Sequence, residues 1–158
     1  MDIVAEPLTA KAFESFGWVL EGPAEPGRVY VSEMLANARP GARLNLSVVK
    51  VDPLKALPLE AKVLERHEFS SQTFFPLRVS RYLVVVAPDA PEGGPDVSQV
   101  RAFVARSGQG ITYRMGTWHH GLTVLDSAAE LAVLMWTDGT RGDEEFVPVS
   151  PFTVHLLA

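Results

Sequence analysis

The chain has 158 residues, of which 47% are hydrophobic and 21% charged, a balance typical of a globular protein that is too apolar to be disordered. Its formal charge of −5 and the absence of a long apolar run disfavour nucleic acid and membranes as partners, and leave a small molecule as the expected one. No cysteine is present, so disulfides and thiolate metal sites are excluded, and a metal would need His, carboxylate, amide or water ligands.

The N-terminal residues lack the basic and apolar regions of a secretion signal, so we expect a cytoplasmic protein. Thr9 is a predicted N-cap for a short helix, and Gly17 is the predicted glycine that follows it. Turn signals then separate about nine short strands, which predicts an all-β sandwich or barrel in a single domain, residues 1–158. The predicted strands are 28–32, 43–51, 63–69, 72–77, 81–87, 101–106, 111–114, 130–137 and 152–157.

Two predicted strands differ in how their apolar residues are spaced. Strand 43–51 alternates, with Leu44, Leu46 and Val48 on one face, which predicts a half-buried strand. Strand 81–87 contains an unbroken apolar run, which predicts burial on both faces.

The first segment with candidate chemistry is strand 63–69. Successive side chains of an extended strand point to opposite faces, so Glu65 and His67 share one face. A hairpin through Ser70 and Ser71 would return Gln72 to the same wall. The alternative is a surface Glu/His pair with no chemical role.

The second such segment runs from Met115 to His120. Gly116 permits a tight turn, and Trp118 could form a pocket wall. The adjacent residues His119 and His120 cannot both point the same way along a strand, and we expect His119 to face inward. The alternative is a pair of exposed loop histidines, and His155 is expected to be structural or exposed.

Together the two segments resemble the two-motif layout of the cupins. A first cupin motif supplies two histidines and a glutamate, and a second supplies one histidine after a Pro-x-Gly-x-x-His turn. Here Glu65 stands in place of the first histidine, Gln72 in place of the glutamate, and Met115 close to the proline. The generic cupin metal site is therefore only partly present.

A more specific resemblance covers most of the chain and is strongest between residues 64 and 121. The peptides that carry it are Leu64-Glu65-Arg66-His67, Ser71-Gln72-x-Phe74, Val84-Val85-Val86-Ala87, Arg101-Ala102-Phe103, Gln109-Gly110-x-x-Tyr113 and Trp118-His119-His120. They look like the ureidoglycolate lyase family of allantoin breakdown. The resemblance implies a homodimeric, cupin-like double-stranded β-helix that converts (S)-ureidoglycolate into glyoxylate and urea, with nickel as a cofactor in some members. Residues 136–145 depart from the family pattern.

The resemblance and the chemistry of the residues suggest roles for the two segments. His67, Gln72 and His119 would hold either a divalent metal or the oxygens of the substrate, and Glu65 is the preferred proton acceptor. His120 is a weaker candidate for the acid. Further candidates for substrate binding are Ser71, Trp118, and three cations for the substrate carboxylate, Lys50, Arg78 and Arg114.

Two other functions fit the same residues. The first is a cupin-like protein that binds or senses a small hydroxy or keto acid without turnover, and the divergent loop 136–145 favours it. The second is a cupin isomerase or dioxygenase-like enzyme, for which redox chemistry would require bound iron or a similar ion.

Overall fold

A computed structural model describes residues 1–157, and strands dominate it, as the all-β prediction requires. The α-helix α1 spans Ala10–Phe13, and short 3-10 turns span Ser32–Met34 and Val97–Gln99. Within residues 1–157 no helix is long and apolar enough to cross a membrane. The strands are β1 Asp2–Pro7, β2 Gly17–Leu20, β3 Arg43–Val51, β4 Leu59–His67, β5 Gln72–Arg78, β6 Arg81–Ala87, β7 Arg101–Arg106, β8 Gly110–Tyr113, β9 Trp118–His119, β10 Thr123–Leu125, β11 Ala129–Thr137 and β12 Glu144–Leu156.

The helix begins where the sequence predicts, but the glycine after it has another role. Thr9 Oγ1 accepts a hydrogen bond from the backbone N–H of Ala12 at 3.2 Å, which confirms the N-cap. Gly17 does not end the helix and instead starts β2, opposite Tyr113. A Cβ atom on Gly17 would lie 1.9 Å from the carbonyl oxygen of Thr112, so only glycine permits this close strand pairing.

Six strands form a closed ring in the order β6-β7-β1-β12-β4-β9, and β9 pairs back onto β6. β10 extends the same sheet by pairing with the other end of β6. The remaining strands form a second sheet in the order β2-β8-β5-β11-β3. This is the closed, cupin-like barrel that the resemblance predicts.

Two apolar clusters fill this architecture, and β6 contributes to both. One cluster lies among the strands of the ring and includes Leu83 and Val85, with Phe152 and Trp118. The other contains Val84 and Val86 of β6 together with side chains of the five-stranded sheet, including Ile111 and Leu131. The prediction that strand 81–87 is buried on both faces is therefore confirmed.

Three other predictions about strands need correction. Residues 28–32 form no strand, because the glycine- and proline-rich segment around them stays irregular. β4 and β5 do not form a hairpin, because the chain crosses at residues 68–71 from one sheet to the other.

β3 has the predicted length, but its apolar face lies outside. Leu44, Leu46 and Val48 are 47%, 65% and 66% exposed, whereas Val49 and Val51 pack against the cluster between the sheets. Alternation identifies which residues share a face of a strand, but the packing of the rest of the fold decides which face is covered.

Candidate active site

The strands β4 and β9 bring Glu65, His67 and His119 together on the side that faces the five-stranded sheet. Glu65 lies opposite His119 in the strand register, as the only paired position between β4 and β9. The centroids of the His67 and His119 rings are 6.0 Å apart, with 25° between the ring planes. Both side chains are buried. The two remote segments thus contribute to one cluster, which lies at the end of the apolar layer between the sheets.

The tautomer of His119 follows from its backbone partner. Its Nδ1 lies 2.8 Å from the carbonyl oxygen of Thr117, which can only accept, so the ring proton is on Nδ1. Nε2 is then an unprotonated acceptor, 3.5 Å from Oε1 of Glu65 and without a hydrogen-bond partner. Burial lowers the pKa of His119 to about 3, so the ring is neutral at pH 7.

Glu65 is the carboxyl group of this cluster. Burial raises the pKa of Glu65, and the nearby negative charge of Glu144 raises it further. A carboxyl group with a raised pKa both accepts and returns a proton more readily near neutral pH than an ordinary surface glutamate. Gly121 leaves space beside it, since a Cβ at that position would lie 3.6 Å from Oε1.

His67 has a different environment, because its Nδ1 faces a carboxylate. Nδ1 lies 3.6 Å from Oδ2 of Asp143, within ion-pair distance but beyond a hydrogen bond. Burial lowers the pKa of His67, and the negative charges of Asp143 and Glu144 oppose that shift. The backbone N–H of Gly116 donates to the carbonyl oxygen of His67 at 2.7 Å, which links the turn before β9 to the end of β4.

Gln72, on the opposite sheet, adjoins the cluster through Tyr113, the ring that stacks on His119. It begins β5, lies opposite Tyr113 of β8, and is buried. Its Oε1 has no hydrogen-bond partner. The neighbouring hydroxyl of Ser71 is already engaged, since it accepts from the backbone N–H of Ala36 at 2.9 Å and lies 3.3 Å from the Ala36 carbonyl oxygen.

The three predicted cations do not reach the histidines. Lys50 lies on the outer face of β3, because its neighbours Val49 and Val51 point inward. Arg78 is at the far end of β5, with its side chain 81% exposed. Arg114 stacks on Trp18 at 3.9 Å and lines a surface cavity of about 450 Å³, which the two histidines do not line.

Trp118 lies on the other side of β9 from the cluster, and His120 directly follows the end of β9. Trp118 belongs to the cluster within the ring, on the opposite face of β9 from His119, and its Nε1 donates to Asp89 at 2.9 Å. His120 places Nδ1 3.0 Å from the carbonyl oxygen of Gly121, next to the hydroxyl of Thr123. His155 pairs with Asp2 at 2.8 Å between β12 and β1, as expected of a structural histidine.

Three neighbours of the cluster were absent from the sequence predictions. Tyr113 stacks on His119 with 4.2 Å between ring centroids, and Asp143 and Arg39 lie behind His67. Tyr113 could have been identified from the peptide Gln109-Gly110-x-x-Tyr113, which contributes to the family resemblance. Asp143 and Arg39 lie in loops, and no local pattern marks them.

His67, Gln72 and His119 fit a divalent cation in the chemistry of their donors. Metals bind neutral imidazole, and burial lowers the pKa of both histidines, while Gln72 Oε1 and His119 Nε2 have no hydrogen-bond partner. The set carries no negative charge, which predicts weak binding. Among residues 1–157, no group of three or more His, Asp or Glu side chains is placed to hold a metal ion, so the amide of Gln72 would have to complete the site.

The chain matches known proteins over nearly its whole length. The family model described as "Ureidoglycolate lyase" matches residues 1–155. A protein of Chelativorans sp. named "Ureidoglycolate lyase" is 36% identical over 98% of this chain and 96% of its own length. A Burkholderia mallei protein of the same name is 37% identical over 92% of this chain and 89% of its own.

A solved structure resembles the fold at low identity. The dTDP sugar isomerase of Desulfovibrio desulfuricans G20 superposes with a TM-score of 0.50 at 16% identity, over 84% of this chain and 82% of that one. At that identity the likeness concerns the fold alone.

Proposed function

The chain belongs to the ureidoglycolate lyase family, and we propose that it cleaves (S)-ureidoglycolate into glyoxylate and urea. The observation that carries this proposal is the buried pair of Glu65 and His119, in which a carboxyl group with a raised pKa faces an unprotonated imidazole nitrogen. Such a pair suits a reaction that moves one proton between two atoms of the substrate.

The reaction needs no water. Ureidoglycolate has a hydroxyl group and a urea nitrogen on the same carbon atom. When the hydroxyl loses its proton, its oxygen forms the carbonyl of glyoxylate, the carbon–nitrogen bond breaks, and the electron pair leaves with the nitrogen. The nitrogen then takes up one proton to give urea.

Each polar group of the cluster has a role in this scheme. Glu65 takes the proton from the hydroxyl and, since its pKa is raised, returns it to the departing nitrogen. When no metal is bound, His119 Nε2 accepts a hydrogen bond from Glu65 after the carboxyl group has taken up the proton, and so stabilises the protonated carboxyl group. When no metal is bound, Gln72 Oε1, an acceptor without a partner, receives a hydrogen bond from the N–H groups in the urea part of the substrate.

A divalent metal, with nickel the ion that the resemblance implies, forms part of the proposal. His67, Gln72 and His119 would hold the ion, and when bound it would act as a Lewis acid toward the oxygens of the α-hydroxy acid. The neutral ligand set supports weak binding, so the protein should lose the ion to a chelator.

We also propose a homodimer in which the free edge of β3 pairs with the same edge of a second copy. β3 is the last strand of its sheet, nine residues long, with three exposed aliphatic side chains, and such an edge usually needs a cover. A second copy paired antiparallel about Ser47 would place Leu46 of one copy opposite Val48 of the other. Leu46→Lys should give a monomer in sedimentation, and an unchanged dimer would refute this interface.

The binding or sensor alternative is not favoured, because the relatives named above are lyases. The isomerase likeness extends to the fold alone and supports no isomerase activity. A cytoplasmic location, a single domain of residues 1–158, and the absence of nucleic-acid and membrane partners remain part of the proposal, supported by the composition and the net charge of −5.

The test is glyoxylate release from (S)-ureidoglycolate. Wild-type protein is assayed as purified, after chelator, and after chelator with added nickel. His119→Ala should lower kcat/KM by about 10³-fold, since it removes the partner of the proton acceptor Glu65 and a ligand of the proposed metal. His155 lies on β12 beside β1, away from the site, so His155→Ala should leave kcat/KM within twofold of wild type. Release of no glyoxylate in all three conditions, with folded protein, would refute the proposed reaction.

A further inference from the structure

A buried carboxylate outside the proposed reaction lies directly behind one of the site imidazoles. Asp143 is 4% exposed, and it accepts hydrogen bonds from the backbone N–H of Phe69 at 2.7 Å and from the hydroxyl of Ser70. The same carboxylate lies 3.6 Å from His67 Nδ1 and 3.4 Å from the guanidinium of Arg39. Groups from two separate segments, residues 67–70 and Arg39, therefore converge on it.

We infer that Asp143 is a positioning residue for His67, which turns the Nδ1 edge of the ring toward the loop and leaves Nε2 for the substrate or its metal. An ionised carboxylate only accepts hydrogen bonds, so the ring proton is favoured on Nδ1. A closer approach of about 0.5 Å would convert the present contact into a hydrogen bond.

Arg39 makes a buried negative charge tolerable at this position. Its side chain is 15% exposed, lies 3.0 Å from Asp138, and donates from Nη2 to the carbonyl oxygen of Trp136 at 3.1 Å. The guanidinium thus joins the end of β11 to the loop that contains Asp143. A buried charge without such a counterion would destabilise the fold.

If Asp143 had a purely structural role, its replacement would affect the attachment of its loop but not the orientation of His67. The residue also connects the loop to the chain crossing, since its carbonyl oxygen accepts from the N–H of Glu68 at 3.0 Å. Asp143→Asn is nearly isosteric and keeps the oxygen that accepts from the Phe69 N–H, while its amide nitrogen stands where Ser70 now donates and can donate to the Ser70 hydroxyl instead. It removes the charge that faces His67, so the orienting role is tested apart from the loop attachment.

The first measurement is the tautomer of His67, read from the ring nitrogen chemical shifts of ¹⁵N-labelled protein without added metal. His67→Gln assigns the signals by their loss. Wild-type protein should show the Nδ1–H tautomer, and Asp143→Asn should show a mixture of both tautomers. The Nε2–H tautomer in wild-type protein would overturn the inference, and this result does not depend on whether Asp143→Asn folds.

The second measurement is kinetic and rests on the proposed function. Asp143→Asn should lower kcat about 10- to 100-fold, as partners behind a site histidine usually do, with KM within about threefold. Asp138→Asn is the matched control: it is in the same loop and also pairs with Arg39, but it does not contact His67. Equal kcat in the two variants would overturn the inference.

The two measurements separate the possible failures. If wild-type protein releases no glyoxylate, the proposed function fails, while the tautomer still decides whether Asp143 orients His67. If glyoxylate is released normally by Asp143→Asn and the tautomer is unchanged, the positioning role fails and the proposed function stands.

Discussion

The two buried histidines of the site are supported in opposite ways. His119 donates to a backbone carbonyl two residues before it and stacks on Tyr113, so its surroundings are neutral except for Glu65. His67 faces Asp143, a charged residue from the loop that follows β11. One ring is oriented by the turn that precedes it, and the other by a side chain distant in sequence.

This difference predicts which changes reach which histidine. Substitutions in the loop of Asp143 should affect His67 and leave His119 unaltered. The orientation of His119 should change only when the turn before β9 changes, or when its own ring or Glu65 is replaced. The following changes test that separation, beginning with the largest expected effect.

Glu65→Gln should disable the His119 side of the site. The amide keeps the shape of the carboxyl group but cannot take the proton, so kcat should fall by about 10³-fold, within the range for a lost general base. Glu60 lies on the same strand and is exposed beside Lys62, so Glu60→Gln is the control and should leave kcat within twofold of wild type. The His67 tautomer should not change; if it does, the two histidines are not supported independently.

Acid should destabilise the fold through the buried neutral rings. The pKa of His119 is about 3 when folded and near 6.5 when unfolded, so the unfolded chain binds the extra proton first as pH falls. The contribution of the neutral His119 ring to the free energy of unfolding is therefore complete above pH 6.5. It declines from there toward pH 3, by up to about 1.4 kcal/mol per pH unit for each proton. His119→Gln should flatten this decline in urea titrations at pH 4 to 6. An equally steep decline in the variant would assign the acid sensitivity elsewhere.

Gly116→Ala should weaken the turn that serves both histidines. Gly116 has a φ of 75°, and its N–H donates to the carbonyl oxygen of His67. Alanine in that conformation should cost about 1 kcal/mol of unfolding free energy. Gly41→Ala, in open space without a positive φ, provides the comparison and should change stability by less than about 0.5 kcal/mol. Equal losses of unfolding free energy in the two variants would mean that the positive φ of Gly116 adds no cost for alanine.

Asp126→Asn should have the smallest effect and none on the site. Asp126 binds Arg81 through two oxygens, and hydrogen bonds from Arg81 lower the pKa of Asp126 to about 2. The bond stabilises the fold above the unfolded pKa of 3.8 and is lost as pH falls through about 2. Since the pair is largely exposed, the loss should be at most about 1 kcal/mol, measured by thermal unfolding at pH 2 to 5. Asparagine tolerates the φ of 65° at this position, so an effect at pH 7 above that size would contradict this account.

Local patterns predicted the fold class and the faces of single strands. Alternation placed Glu65 and His67 on one face of β4, and the unbroken apolar run of β6 indicated burial on both sides; the structure confirms both. The same rule could not say which face of β3 would be covered, because that depends on the partner sheet.

Residues from distant loops lay beyond these patterns. Asp143 and His67 meet only because the chain crosses between the sheets at residues 68–71 and the loop after β11 returns to that crossing. Sequence could not place the three predicted cations either, since charge identifies a possible ligand for a carboxylate but not where in the fold the residue lies; their role in substrate binding stays a prediction. The assignment of site roles stays a prediction until the variants are measured.

The position of β1 in the ring has a consequence for how the protein forms. β1 runs parallel between β7 and β12, so the first residues of the chain occupy an interior place in a closed circuit of strands. Their main partners, residues 153–156, are far away in sequence, and pairing across such a separation is slow. Residues 2–7 therefore lack their main partner strand until residues 153–156 have been made, and a deletion of residues 2–7 would remove an interior strand of the ring.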